Sequence, residues 1–169
     1  FLFIQNLYPD GKRPDLPGQI AGHHGAGIVT RVGPGVSLEP GTLVAFSYKD
    51  VWAEYVAVPA EWLIPLSPGY PMEKASQFVN LISAWDLLDS ARVQAGQWIA
   101  LTAGNSTVAT MVSQMARKRG VNVVSIVRRA RPDVDLAALG ASAVIDLATD
   151  RGDLGGRIKS ARRPATPVP

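Results

Sequence analysis

Glycine and proline punctuate residues 9–71, and after Pro71 that punctuation stops. The turn signals are Pro9-Asp10-Gly11, Pro17-Gly18, Gly33-Pro34-Gly35, Pro40-Gly41 and Pro68-Gly69. A chain broken this often has room only for short elements between the breaks. Those stretches are β-prone: Gly27–Val32, Thr42–Phe46 and Trp52–Val58 are rich in valine, isoleucine, threonine and aromatics. Short strands with frequent turns predict an all-β barrel or sandwich for this part of the chain.

Beyond Pro71 the period changes. Ala75, Phe78, Val79, Ile82, Trp85, Leu87 and Leu88 recur at mostly helical spacings, which predicts one or two helices over 72–92. Trp52, Trp85 and Phe78 are expected in the core. Trp98–Leu101 is then an apolar run, followed by a polar turn over Ala103–Thr107. Val108, Met111, Val112, Met115 and Ala116 mark one face of an amphipathic helix. Val121–Val127 is a second apolar run, Asp135–Leu139 reads as helical, and Ala143–Ile145 is a third strand. Strand, helix, strand, helix, strand is the signature of a parallel sheet with right-handed crossovers. Near-continuous Val/Ile runs suit strands covered on both faces.

The expected organisation is therefore α/β with a β-rich part. Residues 1–72 form the β unit, 73–95 a helical connection, and 96–149 a βαβαβ unit. Residues 150–169 are expected to be a basic, proline-rich, disordered tail, since Pro164, Pro167 and Pro169 suit neither helix nor central strand.

Composition narrows the function classes. The 169 residues are 47% hydrophobic and 18% charged, enough for a core and unlike a disordered chain. No apolar run approaches the ~18 residues of a membrane span, and no secretory signal pattern opens the chain. Cysteine is absent, which excludes disulfides, a thiolate nucleophile, an iron–sulfur cluster and a thiolate zinc site. A reducing, cytoplasmic setting fits. The net charge of +3 belongs to the tail: residues 1–149 hold 12 basic and 12 acidic side chains, residues 150–169 hold 5 and 2. A nucleic-acid binder carries a basic face interleaved with aromatics, and residues 1–149 show none.

The first strand–helix turn of a βαβ unit presents free backbone N–H groups at the positive end of a helix dipole, a ready pyrophosphate site. Here it reads Ala103-Gly104-Asn105-Ser106-Thr107-Val108-Ala109, with one glycine in place of the usual three. Alone, the turn fits equally an ordinary connection with Ser106 or Thr107 as N-cap. The end of the second strand adds to it. A NAD site calls for an acid there; this chain offers Arg128-Arg129-Ala130-Arg131, beginning 24 positions after Gly104. Positive charge at that place suits the 2′-phosphate of NADP, although a solvated basic turn is the plainer alternative. His23-His24 are the only histidines, and with no cysteine a zinc site would have to be completed by carboxylates; the pair reads as a Gly-flanked turn and no metal is expected. Taken by itself, Tyr8 reads as a packing or surface residue.

The order of these pieces resembles the medium-chain dehydrogenase/reductase superfamily, which joins a GroES-like β domain to a Rossmann domain. Gly22–Val29 with Val32-Gly33 and Val36, Pro40–Val44, Trp52–Ala60 (similar to "AEYxxVP") and Leu139-Gly140-Ala141 with Val144-Ile145 carry the resemblance. His23 falls where zinc-dependent members have the histidine of "GHE", but His24 replaces the acid, which favours the zinc-free branch. The chain is most similar to NADPH-dependent 2-enoyl thioester reductases and their quinone reductase relatives. Asn80–Trp85 resembles "NxxTAY", Ala103–Ala109 resembles "AANSxVG", and Ile126–Arg129 resembles "NVVR".

The resemblance implies an incomplete GroES-like domain followed by a partial Rossmann domain. It implies NADPH as cofactor, held by Asn80, Gly104, Asn105, Ser106, Thr107, Val108, Arg128, Arg129 and Arg131. Tyr8, in its Tyr8-Pro9 context, would be the catalytic proton donor. The substrate would be a small molecule, an enoyl thioester or a quinone, with neither nucleic acid nor membrane as partner. A eukaryotic source would place the protein in mitochondria. The family's opening strands would precede Phe1, and similarity ends near Ala161. The expectation is thus a chain truncated at both ends: a reductase, or an inactive fragment or partner-dependent half-enzyme. Its exposed Rossmann sheet edge would favour homo-oligomers.

Overall fold

The computed structural model describes residues 5, 7, 18–150 and 152–162. The chain divides into two compact units, residues 1–79 and 80–169. Tyr8 and residues 163–169 lie outside the described residues.

In the first unit, β1 (His24–Ile28), β2 (Leu43–Ser47) and β3 (Leu63–Pro65) form an antiparallel sheet in that order. The register sets Ala26 opposite Ala45, and Ala45 opposite Ile64. Central β2 buries Val44, Ala45 and Phe46. Ala45, Leu66 and Ala75, the last from the short helix α1 (Met72–Ala75), form a cluster that Tyr70 and Phe78 cover. Gly25 is required here, because a Cβ would sit 2.7 Å from the Phe46 ring.

Two sequence expectations change in this unit. The first strand starts earlier and stops at Ile28; Val29 stays hydrogen-bonded to the segment before β2, its N–H donating to the Thr42 carbonyl at 3.0 Å and its carbonyl accepting from Gly41 N–H at 2.8 Å. Trp52–Val58 forms no strand. Trp52 N–H donates to the Ala21 carbonyl at 2.9 Å, but residues 53–58 make no backbone hydrogen bond to other described residues. A β-prone run becomes strand only where a neighbour supplies the ladder. Trp52 is consequently 63% exposed, against its expected place in the core.

The second unit holds most of α2 (Phe78–Ser90), then β4 (Trp98–Leu101), α3 (Thr107–Lys118), β5 (Asn122–Val127), β6 (Ala143–Asp146) and α4 (Leu154–Ala161). The sheet is parallel, ordered β4-β5-β6, with Leu101 beside Ser125 and Val127 beside Asp146. Alternate residues of β5 serve opposite faces. Val123 packs with Ala84 and Leu88 of α2 and Val112 and Ala116 of α3. Val124 and Ile126 join Ile145 under Ile158 and Ala161 of α4. The expected apolar face of α3 is the one buried. Ala84 and Leu88 take the core stripe of α2, which leaves Trp85 51% exposed rather than buried.

The second crossover lacks the helix expected over Asp135–Leu139. It is a single turn closed by Leu139 N–H on the Asp135 carbonyl at 3.1 Å, and five residues are too few to repay nucleation. The expected disordered tail begins instead with α4. Asp153 caps it, accepting from Gly155 and Gly156 N–H at 3.0 and 2.8 Å, and its apolar side closes the sheet's second face.

Candidate functional site

A cleft of about 690 Å³ opens at the C-terminal ends of the parallel strands, within the second unit. Its walls are the β4–α3 turn (Thr102, Ala103, Asn105, Ser106), the end of β5 (Ile126–Arg131), and Leu147 and Leu154. Parallel sheets bind ligands at this end because the strand–helix turns converge there with helix N-termini.

The β4–α3 turn is unusually tight. Ala103 adopts φ +51, a left-handed conformation costly for a residue with a Cβ. Ser106 N–H donates back to the Ala103 carbonyl at 2.8 Å, and Gly104 N–H extends the sheet pairing to the Ile126 carbonyl at 2.9 Å. Gly104 is buried, and a Cβ on it would overlap Ser125 Oγ. The turn therefore packs closely against Ser125 and Val127 of β5 with no space there for a side chain.

Ser106 is the N-cap of α3: its Oγ accepts from Ala109 N–H at 3.3 Å. The first intrahelical bond runs from Thr110 N–H to the Ser106 carbonyl at 3.0 Å, so the N–H groups of Thr107 and Val108 precede the ladder. Thr107 is exposed. The Val108 side chain packs into the α2/α3 core, which leaves only its N–H for a ligand.

Asn105 joins the two halves of the cleft. Its Nδ2 donates to the Arg129 carbonyl at 2.8 Å, while its Oδ1 is buried without a partner among the described residues. Arg128 and Arg129 are exposed at the rim and form no ion pair among the described residues. Arg131 differs: its guanidinium grips Asp133, with Nε on Oδ1 at 3.2 Å and Nη2 on Oδ2. That pairing raises Arg131 above its usual value and holds the Asp133 carboxyl below the ordinary range. Arg131 lines the cleft with its charge already answered.

Asn80 sits on α2, half-buried, and does not line the cleft. Five sequence-predicted residues do: Asn105, Ser106, Arg128, Arg129 and Arg131. Gly104, Thr107 and Val108 build the turn behind them. His24 is the first residue of β1, opposite Ser47. No group of three His, Asp or Glu side chains that could hold a metal occurs among the described residues.

Sequence reasoning missed Ser125 and Asp146. Ser125 is buried beneath Gly104, its Oγ unpartnered among the described residues. The Asp146 carboxylate at the end of β6 accepts from Ala130 N–H and Ala148 N–H, both at 2.9 Å. These bonds, with the Arg129 charge, hold its carboxyl below the ordinary range. A polar residue inside an apolar strand, and an acid just past one, were the available signals.

The fit to a dinucleotide rests on this geometry. Two N–H groups ahead of the helix ladder and, among the described residues, two arginines outside any ion pair suit a pyrophosphate and a nearby phosphomonoester.

No family model matches the chain. The human mitochondrial enoyl-[acyl-carrier-protein] reductase is 33% identical over 152 residues, covering 84% of this chain and 40% of that protein. A quinone oxidoreductase from Pseudomonas syringae superposes with a TM-score of 0.81 at 25% identity, over 94% of this chain and 49% of its own. The complex of Etr1p with NADP and crotonyl-CoA gives a TM-score of 0.73 at 26% identity, over 94% and 51%. This chain thus spans about half of those structures, and less of the human protein. The antiparallel sheet, the parallel sheet and these relatives together show that the chain belongs to the medium-chain dehydrogenase/reductase superfamily, in the branch of the enoyl reductases and quinone oxidoreductases.

Proposed function

We propose that the chain is the cofactor-holding part of an NADPH-dependent reductase of α,β-unsaturated thioesters. The observation that carries this is the juxtaposition of the Ala103–Ser106 turn with Arg128 and Arg129 across the Asn105–Arg129 hydrogen bond. The N–H groups of Thr107 and Val108 would hold the pyrophosphate, and Arg128 and Arg129 the 2′-phosphate. A nicotinamide cofactor held there would provide the hydride for the β-carbon of the substrate. Tyr8 would hold a proton at its phenolic oxygen for the α-carbon, since a phenol is the acid form at neutral pH. Asn80 keeps its proposed cofactor role from sequence alone.

The substrate assignment follows the named relatives, since enoyl reductases are 30–33% identical to this chain. Quinone reduction is the second reading, favoured by solved structures such as that from Pseudomonas syringae. It needs the same hydride donor without a thioester pocket. A mitochondrial setting follows from the same relatives for a eukaryotic source. Among the described residues no helix is long and apolar enough to cross a membrane. The outer edges of β4 and β6 are proposed as surfaces for pairing with a second copy.

The test is oxidation of NADPH by the purified chain with crotonyl-CoA or a quinone. Consumption with crotonyl-CoA supports the proposal, and consumption with quinone alone replaces it by the second reading. NADPH binding without either turnover assigns the chain a cofactor-holding role that needs a partner.

A further inference from the structure

We infer that Asp146 positions the arginine turn and thereby sets the preference for a 2′-phosphorylated nucleotide. The inference rests on reading the cleft rim as the 2′-phosphate site.

The arginines lie past the end of β5, where the ladder no longer fixes the backbone: the last β5–β6 register pair is Val127 with Asp146. Beyond it two bonds hold the rim. Asn105 Nδ2 holds the Arg129 carbonyl at 2.8 Å from one side, and Asp146 Oδ2 holds the Ala130 N–H at 2.9 Å from the other. Peptide 129–130 is therefore gripped at both its oxygen and its hydrogen, which fixes the backbone from which the Arg129 side chain projects, one residue after Arg128.

Asp146 is itself fixed. Its Oδ1 accepts from Ala148 N–H at 2.9 Å, and its own N–H donates to Asp150 Oδ2 at 3.2 Å. Asp150 in turn accepts from Arg157 of α4, with Nη2 on Oδ1 at 2.9 Å. A chain of hydrogen bonds thus ties the arginine turn to α4 through one carboxylate. Both carboxylate oxygens are used by N–H donors, so an amide replaces it only in part: Asn has a single acceptor oxygen, and its NH₂ would face the second N–H.

The charge of Asp146 acts in the opposite sense, since a carboxylate near Arg129 weakens the field on a phosphate. Both groups border solvent, where such effects are screened. Backbone positioning outweighs that charge.

The test is titration of NADPH and NADH against wild type, Asp146→Ala and Asp146→Asn, read as the ratio of the two affinities. Loss of a charge-assisted hydrogen bond is worth about tenfold. Asp146→Ala should lower the NADPH:NADH ratio by about tenfold with NADH affinity kept, and Asp146→Asn should lie between it and wild type. If Asp146→Ala does not fold, a lowered ratio in Asp146→Asn supports the inference. An unchanged ratio in both variants overturns it, including when both affinities fall together, as a purely structural role would give. A raised ratio also overturns it, since Asp146 would then act only as a competing charge. A wild type with no preference for NADPH overturns the 2′-phosphate reading itself.

Discussion

Asn105 Nδ2 lies 2.8 Å from the Arg129 carbonyl, so the β4–α3 turn and the arginine turn share one hydrogen bond across 24 residues. Removing it uncouples the two halves of the cleft. Asn105→Ala should weaken NADPH binding by about threefold to tenfold, the worth of one hydrogen bond. Asn105→Asp should weaken it further, because a carboxylate would face a carbonyl oxygen and the bound phosphates. Calorimetric titration of both variants checks the order; equal affinities would contradict it.

Gly104 cannot gain a side chain without displacing Ser125, whose Oγ occupies the space an added methyl would need. Gly104→Ala should cost about 1–3 kcal/mol in unfolding free energy, as overpacking does, and weaken nucleotide binding. Ser125→Gly in the same chain removes both the nearest Oγ and the Ser125 Cβ, which would lie 3.2 Å from that methyl. Denaturant unfolding of the two single variants and the double should show coupling: the double variant is more stable than the two costs added together. Simple additivity would contradict the contact.

Asp146 and Asp133 both have carboxyl groups held below their ordinary values by hydrogen bonds to Ala130 and Arg131 respectively. A folded value below the unfolded one gives stability that is present above about pH 4 and lost as pH falls through the folded value. Thermal unfolding midpoints should stay level from about pH 7 to 5 and decline below about pH 4. Asp146→Asn should make that decline shallower; an unchanged slope would contradict the assignment.

Much of the second unit was legible because its signals are local. Val108, Met111, Val112, Met115 and Ala116 fix the buried face of α3, and the runs at Trp98, Val121 and Ala143 mark its strands. The turn residues and arginines fall at one cleft because parallel strands place their C-terminal ends together. What failed depended on partners. Trp52–Val58 has strand composition without a strand neighbour among the described residues. Basic, Pro-terminated sequence obscured α4, which forms because Asp153 caps it and Ile158 covers the sheet. Ser125 and Asp146 matter through contacts with residues 16 or more positions away, which no local pattern records. Tyr8 stands as an expectation from sequence alone.

The central claim is that Arg128 and Arg129 read a 2′-phosphate beside a turn that holds a pyrophosphate. Titrating wild type and the Arg128→Ala/Arg129→Ala double variant with NADPH and NADH tests it directly. The account predicts that wild type prefers NADPH, and that the double variant loses about tenfold to a hundredfold in NADPH affinity while keeping its NADH affinity. Equal losses for both nucleotides, or no loss for either, would contradict it.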